Sequence, residues 1–463
     1  MSRDKKRQII FYQVDDSEAI SRHLSKMARK GWLLESVDNW YYIYRRGDPV
    51  EIKYAVTFFP EASCFDPGLL EGQETYAEYC EAAGWELAAS YGPVQYFRTT
   101  NPDPLPIETD ETMKLAAIRK TMRKTFVLSY ALLLLIPAVG LPLCRMEFQH
   151  DPLAFLCGSR YLANLLIQSG IVLFSAGMLI DYLIWLLRSG HAVAQGGCCK
   201  KPHTRFRLGL TVFILTVCVA SIALFLADNS RLSAIFLIYL ALYAGLMLLS
   251  RLVLRKLKAS SGSRSVIRTA FLGFAVAGGL ALGFGSPFLF IKLADARVIH
   301  MEREPAETYT YISSKTSFRY SRGVYYDDLP ITLEELGYTV TERDHCSYEE
   351  KTERTVLASH SRYTQEALNL DSALPDLTCQ TYDIRWSWLL QSAWEECIAK
   401  ETGQLDRWPL EKLDPAPWDA AEAYRRAGMT TYFLLYPSRI VVFHLGDDAA
   451  PQQLALIVQA LRP

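Results

Sequence analysis

The segment GWLLESVDNWYYIYRR, residues 31–46, decides how the first hundred residues fold, because GWELAASYGPVQYFRT, residues 84–99, repeats its plan. In each copy a Gly-Trp pair is followed, thirteen residues beyond the Trp, by an arginine that follows an aromatic: Tyr44-Arg45 and Phe97-Arg98. Upstream of the first copy, a β-type run at 8–12 leads to Asp15-Asp16-Ser17, whose side chains can cap a helix over about 18–30 with Ile20, Leu24 and Met27 on one face. Gly31 ends such a helix, since glycine enters the left-handed C′ conformation at little cost. Trp32 opens a strand and 40–45 makes another. The second copy predicts a strand at 52–59, a helix at 74–83 with Tyr76, Tyr79 and Cys80 on one face, a stop at Gly84, and strands from Trp85 and over 94–98. The unit is therefore β-α-β-β, present twice.

Two such units build a ferredoxin-like or related α+β sandwich, one sheet with helices on one face and each tryptophan anchoring the helix before it. A functional alternative uses the same residues. A cleft between the halves would present Tyr42, Tyr44, Arg45, Tyr96 and Arg98 to an anionic or aromatic ligand or partner. Strand alternation sends Tyr44 and Arg45 to opposite faces, which weighs toward the structural role. The two Gly-Trp segments, with a basic stretch and apolar spans after them, resemble the bacterial family catalogued as domain of unknown function 2812 (DUF2812), over about residues 5–100. The resemblance implies a cytoplasmic module on a membrane protein and brings no catalytic residue with it.

Charge divides the rest of the chain. Residues 1–112 hold 12 Lys and Arg against 19 Asp and Glu, 113–291 hold 19 against 4, and 292–463 hold 18 against 27. Acidic ends exclude a nucleic-acid binder, which needs clustered basic residues. The basic middle is apolar in five runs of spanning length, 126–143, 161–187, 206–227, 232–249 and 270–291, against the roughly 20 residues that cross a bilayer core. The shortest, the first, contains Pro137 and Pro142. A membrane domain at 126–291 is thus expected, after a Pro-rich, then basic linker at 101–125 that either lies on the inner headgroups or serves as a topological stop. Lys and Arg gather before the first span, between the second and third, and between the fourth and fifth. Those ends are therefore cytoplasmic, with the N-terminal domain (1–100) inside and the C-terminal domain (292–463) outside. The opening residues carry no apolar leader core, so the first span acts as the insertion signal. On this plan five of the ten cysteines lie outside, among them Cys144 and Cys157, close enough in sequence to pair.

Within the spans, Asp181 is the acidic residue of note, placed either at the inner interface near Arg188 or in an ion or proton relay. Gly279 and Gly283 form a small-x-x-x-small pair for helix packing, within the chain or in a homodimer through the fifth span. Cys198, Cys199 and His203 lack the spacing and ligand number of a tetrahedral metal site. The C-terminal domain reads as α+β, with strands at 308–312, 355–363, 377–382, 431–436 and 439–445 and helices at 332–336, 384–400, 419–427 and 451–461. Its tryptophans, 386, 388, 394, 408 and 418, are read mainly as core, with Trp386, Leu390 and Trp394 on one helical face. His345, His360 and His444 are scattered, and no catalytic, phosphate-binding or cofactor motif is present. The expectation is a multi-domain membrane protein of sensory, regulatory or scaffolding function, not an enzyme, with the bilayer and a cytoplasmic protein as partners and no nucleic acid. The alternative is a transporter or transporter accessory.

Overall fold

A computed structural model describes the chain except for residues 1–3, 10–14, 39–40, 228–231, 261, 296–303, 313–318, 343, 370–371, 404–408 and 448–449. The side chains of 227–237, 239, 282–295, 312 and 403 also lie outside the description. The chain forms two compact units. The first contains 1–137, 170–216 and 234–295, and the second 138–169, 217–233 and 296–463.

In the first unit both repeats fold as expected in order. They are β1 (Lys5–Ile9), α1 (Ser17–Ala28), β2 (Trp32–Val37) and β3 (Tyr41–Arg46), then β4 (Lys53–Phe58), α2 (Glu71–Ala82), β5 (Glu86–Tyr91) and β6 (Val94–Thr99). Gly31 (φ +76) and Gly84 (φ +86) end the two helices in the left-handed region. The single sheet, however, is replaced by two antiparallel three-stranded sheets, β1-β3-β2 and β4-β6-β5. The reason repeats with the sequence. Each copy has a bulge one turn of strand past its tryptophan, between Leu34 and Ser36 in β2 and between Leu87 and Ala89 in β5. These are the strands that run beside one another where the sheets would have to join. A bulge bends and twists its strand and interrupts the ladder, so each sheet closes at three strands.

The helices do not share a face either. Helix α1 packs Ile20, Leu24 and Met27 against Tyr42, Tyr44, Tyr54 and Tyr96. Helix α2 covers the other face of β6, where Cys80, Trp85 and Phe97 form a separate cluster. The tryptophans part company accordingly. Trp85 is buried and donates from its indole N–H to the Leu105 carbonyl at 2.8 Å, whereas Trp32 is half-buried beneath Lys6 and Arg46.

After the acidic linker, Asp110 caps α3 (Glu111–Met122), which continues through a π-helical turn (Arg123–Val127) into α4 (Leu128–Leu133) and α5 (Leu135–His150). The basic stretch is therefore the start of the first apolar helix and not a separate segment. Then come α6 (Pro152–Cys157), α7 (Ser159–Ala194), α8 (Thr204–Ala227), α9 (Leu232–Ala259) and α10 (Arg264–Asp295). Among the described residues four helices are long and apolar enough to cross a membrane: Glu111–His150, Ser159–Ala194, Thr204–Leu226 and Arg264–Ala281. The expected fourth span falls on α9, part of whose side chains lie outside the description. Close packing in this region uses Gly278, where an added Cβ would meet the Leu246 side chain at 2.6 Å. Gly279 has open space, and the surroundings of Gly283 are outside the described residues.

The second unit is built on a seven-stranded antiparallel sheet in the order β12-β13-β14-β15-β11-β10-β9, preceded by the hairpin β7 (Glu307–Ile312) and β8 (Arg319–Val324). Its strands and helices are β9 (Cys346–Arg354), β10 (Ala358–Ala367), β11 (Leu377–Ile384), α11 (Ser387–Gly403), β12 (Leu410–Lys412), β13 (Glu422–Arg426), β14 (Thr431–Leu435), β15 (Arg439–Leu445) and α12 (Pro451–Leu461). Both faces are covered. Ile440, Phe433 and Leu435 meet α11 and α6 on one side, and Val441, Phe443, Leu434 and Leu445 meet α12 on the other. The helix expected at 419–427 is instead strand β13, paired with β14 and β12, because ladder partners and burial of Ala423 override the local helical pattern. The helix expected at 332–336 is one turn, closed by Gly337 at φ +89, that buries Leu333 and Leu336. Trp394 and Trp418 are core, but Trp386 and Trp388 are 40% and 69% exposed, and Trp408 is outside the described residues. Cys144 and Cys157 are buried free thiols, like Cys346, Cys379 and Cys397.

Candidate functional site

Arg207, in the first turn of α8, is the one basic side chain of that helix placed in a dry interior. Its Nη1 and Nη2 donate to the two carboxylate oxygens of Asp15, each at 2.7 Å, and its Nε donates to Asp181 Oδ2 at 2.5 Å. The Asp15, Arg207 and Asp181 side chains are only 0%, 6% and 2% exposed. A lysine could not hold this geometry, which needs the planar five-donor fork. The second oxygen of Asp181 lies 2.9 Å from His203 Nδ1, and Arg188 Nη1 lies 2.7 Å from His203 Nε2. A guanidinium only donates, so Nε2 accepts and Nδ1 carries the proton given to Asp181. Two carboxylates and two guanidiniums balance, which is what a buried cluster requires.

Asp15 stands where the chain enters α1. Its neighbour Asp16 caps that helix by accepting from the Ala19 amide at 3.3 Å, and burial holds the Asp16 carboxyl above its usual range. The cluster thus ties the entrance of α1 to α7 and α8. Three further ion pairs join the Gly-Trp lobe to the basic loops: Glu18 with Lys201 at 3.3 Å, Asp38 with Arg255 at 2.8 Å, and Asp66 with Arg264, whose Nη2 donates at 2.9 Å. In addition the Cys199 amide donates to Glu111 Oε2 at 2.9 Å. Exposed pairs such as Glu18–Lys201 contribute at most about 1 kcal/mol. The buried fork dominates.

A cleft of about 810 Å³ opens beside this cluster, within the same unit, between the lobe, the π-helical turn and the start of α10. Tyr42 and Tyr96, whose rings meet edge to face at 6.1 Å, form part of its wall. Of the five residues picked out as a ligand surface, these two reach the cleft. Tyr44 is buried in the lobe core, Arg45 is exposed, and Arg98 pairs with Glu86 across the β5–β6 ladder at 2.5 Å. Asp181 is placed away from open solvent and bonded to Arg207, not to Arg188 as expected. Among the described residues no three His, Cys, Asp or Glu side chains gather as a metal site, so Cys198, Cys199 and His203 are not assembled into one. His345 stacks on Tyr309 at 4.0 Å, His360 on Tyr382 at 4.3 Å, and His444 Nδ1 meets Thr431 Oγ1 at 3.1 Å, each with its own neighbour.

Residues 16–130 match the family model described as a protein of unknown function (DUF2812). No curated protein and no solved structure matches the chain. The matched segment runs past the repeat into α4, and it contains the acids that meet the basic loops, Glu18, Asp38 and Asp66, together with most of the cleft wall. Its partners Arg207, Arg255 and Arg264 lie outside it. Sequence reasoning missed Arg207 and Asp15. Its available signal was a guanidinium placed in the first turn of an apolar helix, with an aspartate doublet unclaimed elsewhere.

Proposed function

We propose that this is a multi-pass membrane protein whose DUF2812 lobe is a cytoplasmic regulatory or scaffolding module tethered to the inner ends of the membrane helices. The C-terminal domain faces outward and receives the signal. The observation that carries this is the buried Asp15–Arg207–Asp181 fork, which couples the first helix of the lobe to α7 and α8. Five spans are supported by the way the loops associate. The basic loops at 195–203 and 250–268 bond to the lobe, while α6, in the loop between α5 and α7, packs on the C-terminal sheet, where Thr355 Oγ1 donates to the Leu156 carbonyl at 2.8 Å. That is the alternation positive-inside topology demands.

A cytoplasmic protein partner for the lobe, and a second copy packing at Gly279, belong to the same proposal. The transporter alternative has less support, because both oxygens of Asp181 are occupied by Arg207 and His203. Removing one member of a buried ion cluster costs about 3–5 kcal/mol. Arg207→Met in nanodiscs should therefore raise amide exchange throughout α1 and β1–β3 while leaving the C-terminal sheet protected. Unchanged exchange in the lobe would refute the tether.

A further inference from the structure

The cleft beside the cluster has two kinds of wall. Tyr42, Tyr96, Phe126 and Tyr130 make it aromatic at depth, and Lys124, Arg264 and Arg268 stand among its lining. The acids nearby are already matched. Asp38 pairs with Arg255, Glu61 with Lys120, and Asp66 with Arg264. Lys124 donates to the Pro60 carbonyl at 2.9 Å, a neutral partner. Matched pairs thus leave the charges of Lys124 and Arg268 uncompensated at the cleft. A third observation is polar. Thr121 is 1% exposed, lines the cleft, and its hydroxyl has no hydrogen-bond partner among the described residues. A buried hydroxyl left unbonded is costly, of order 1–3 kcal/mol, and is normally satisfied by something. The π-helical turn at Arg123–Val127 follows directly and brings Lys124, Thr125 and Phe126 into the wall. Such turns recur at functional sites because they redirect side chains that a regular helix would place elsewhere.

We infer that this cleft binds an anionic amphiphile, its apolar body between the tyrosines and Phe126 and its negative head at Lys124 and Arg268, with Thr121 supplying a further hydrogen bond. The volume suits such a molecule, since ligand pockets run from about 300 to 1,000 Å³. A bilayer lipid with an anionic head and a soluble anion with an apolar tail share this chemistry. The site lies wholly in the first unit and uses none of Asp15, Asp181 and Arg207, so its failure leaves the tether untouched.

The test uses the full chain in phosphatidylcholine nanodiscs, titrated with dansyl-labelled undecanoate. Saturable fluorescence enhancement above that of empty discs is expected. Lys124→Gln combined with Arg268→Gln should weaken it roughly tenfold, as the loss of two partly exposed charge contacts implies. Ser129→Trp, which fills the cleft from an exposed helix position and changes no charge, should abolish it. Amide exchange of the lobe, unchanged in both variants, separates lost binding from lost folding. Displacement by phosphatidylglycerol in the disc supports the inference and assigns a bilayer lipid, and displacement by inorganic phosphate supports it and assigns a soluble anion. Non-saturable binding, binding equal in both variants, or displacement by neither competitor overturns it.

Discussion

At the scale of single residues, charges in this protein divide into those that hold the fold together and those that decorate it. The Arg207 fork belongs to the first kind, because a desolvated carboxylate deprived of its partner has nowhere to turn. Arg207→Lys should therefore behave more like Arg207→Met than like wild type, since a point charge cannot serve Asp15 and Asp181 together. Its exchange pattern in nanodiscs checks this. His23 contributes differently. Its Nε2 lies 3.2 Å from Gln8 Oε1, and burial, then Lys26, Lys6 and Lys30, lower its affinity for a proton below the ordinary histidine value. Above about pH 6.5 folded and unfolded chains are both neutral here, and below it the unfolded chain takes up a proton that the folded lobe resists. The lobe should lose stability as pH falls from 7.5 to 5.5, and His23→Gln should flatten that part of the curve in a thermal melt. Asp16 acts oppositely and lower, within the carboxylate range, because its raised value favours the folded state as protons are added.

At the scale of elements, the helix stops were legible because a positive φ leaves a chemical mark. Gly31 and Gly84 share that mark but not their surroundings. A Cβ on Gly31 would sit 2.7 Å from the Gly47 carbonyl oxygen, whereas one on Gly84 would meet nothing within 4 Å. Gly84→Ala should cost about 1–2 kcal/mol, the left-handed penalty alone, and Gly31→Ala more than that, read as the difference in denaturation midpoints of the two variants. The split into two sheets was not legible. Its cause, a bulge at the same place in each repeat, depends on which strands become neighbours, and a single strand does not record that. Strand β13 was misread for a related reason: DAAEAYRRAG has helical spacing, and only the partners supplied by β14 and β12 make it a strand. The tyrosines show the converse. Period-two alternation does place Tyr42 and Tyr44 on the buried face of β3 and Arg45 outside, yet their pairing with Tyr96 across two sheets required the fold. Asp15 and Arg207, 192 residues apart, were beyond any local pattern.

At the scale of the whole molecule, one asymmetry organises everything else: which loops go with which domain. Positive charge in alternate loops predicts that the Gly-Trp lobe is inside, and the bonds from Glu18, Asp38 and Asp66 to the loops at 195–203 and 250–268 support the same assignment without counting charge against a membrane potential. The cysteines provide a test already built into the chain. Cys198 is exposed in the loop between α7 and α8. Its neighbour Cys199 is less so, and burial followed by the Glu111 carboxylate pushes that thiol up to about 12, where little reactive thiolate forms. Every thiol of the C-terminal domain is buried, with Cys346 and Cys397 pushed up to about 11 and Cys379 to about 12, chiefly by desolvation. A membrane-impermeant maleimide added to intact cells should therefore leave the protein unlabelled. After permeabilisation it should label one site above all, and Cys198→Ser should remove that label. Labelling of Cys198 in intact cells would place the lobe outside, reverse the direction of the proposed signalling, and move the cleft to the opposite leaflet.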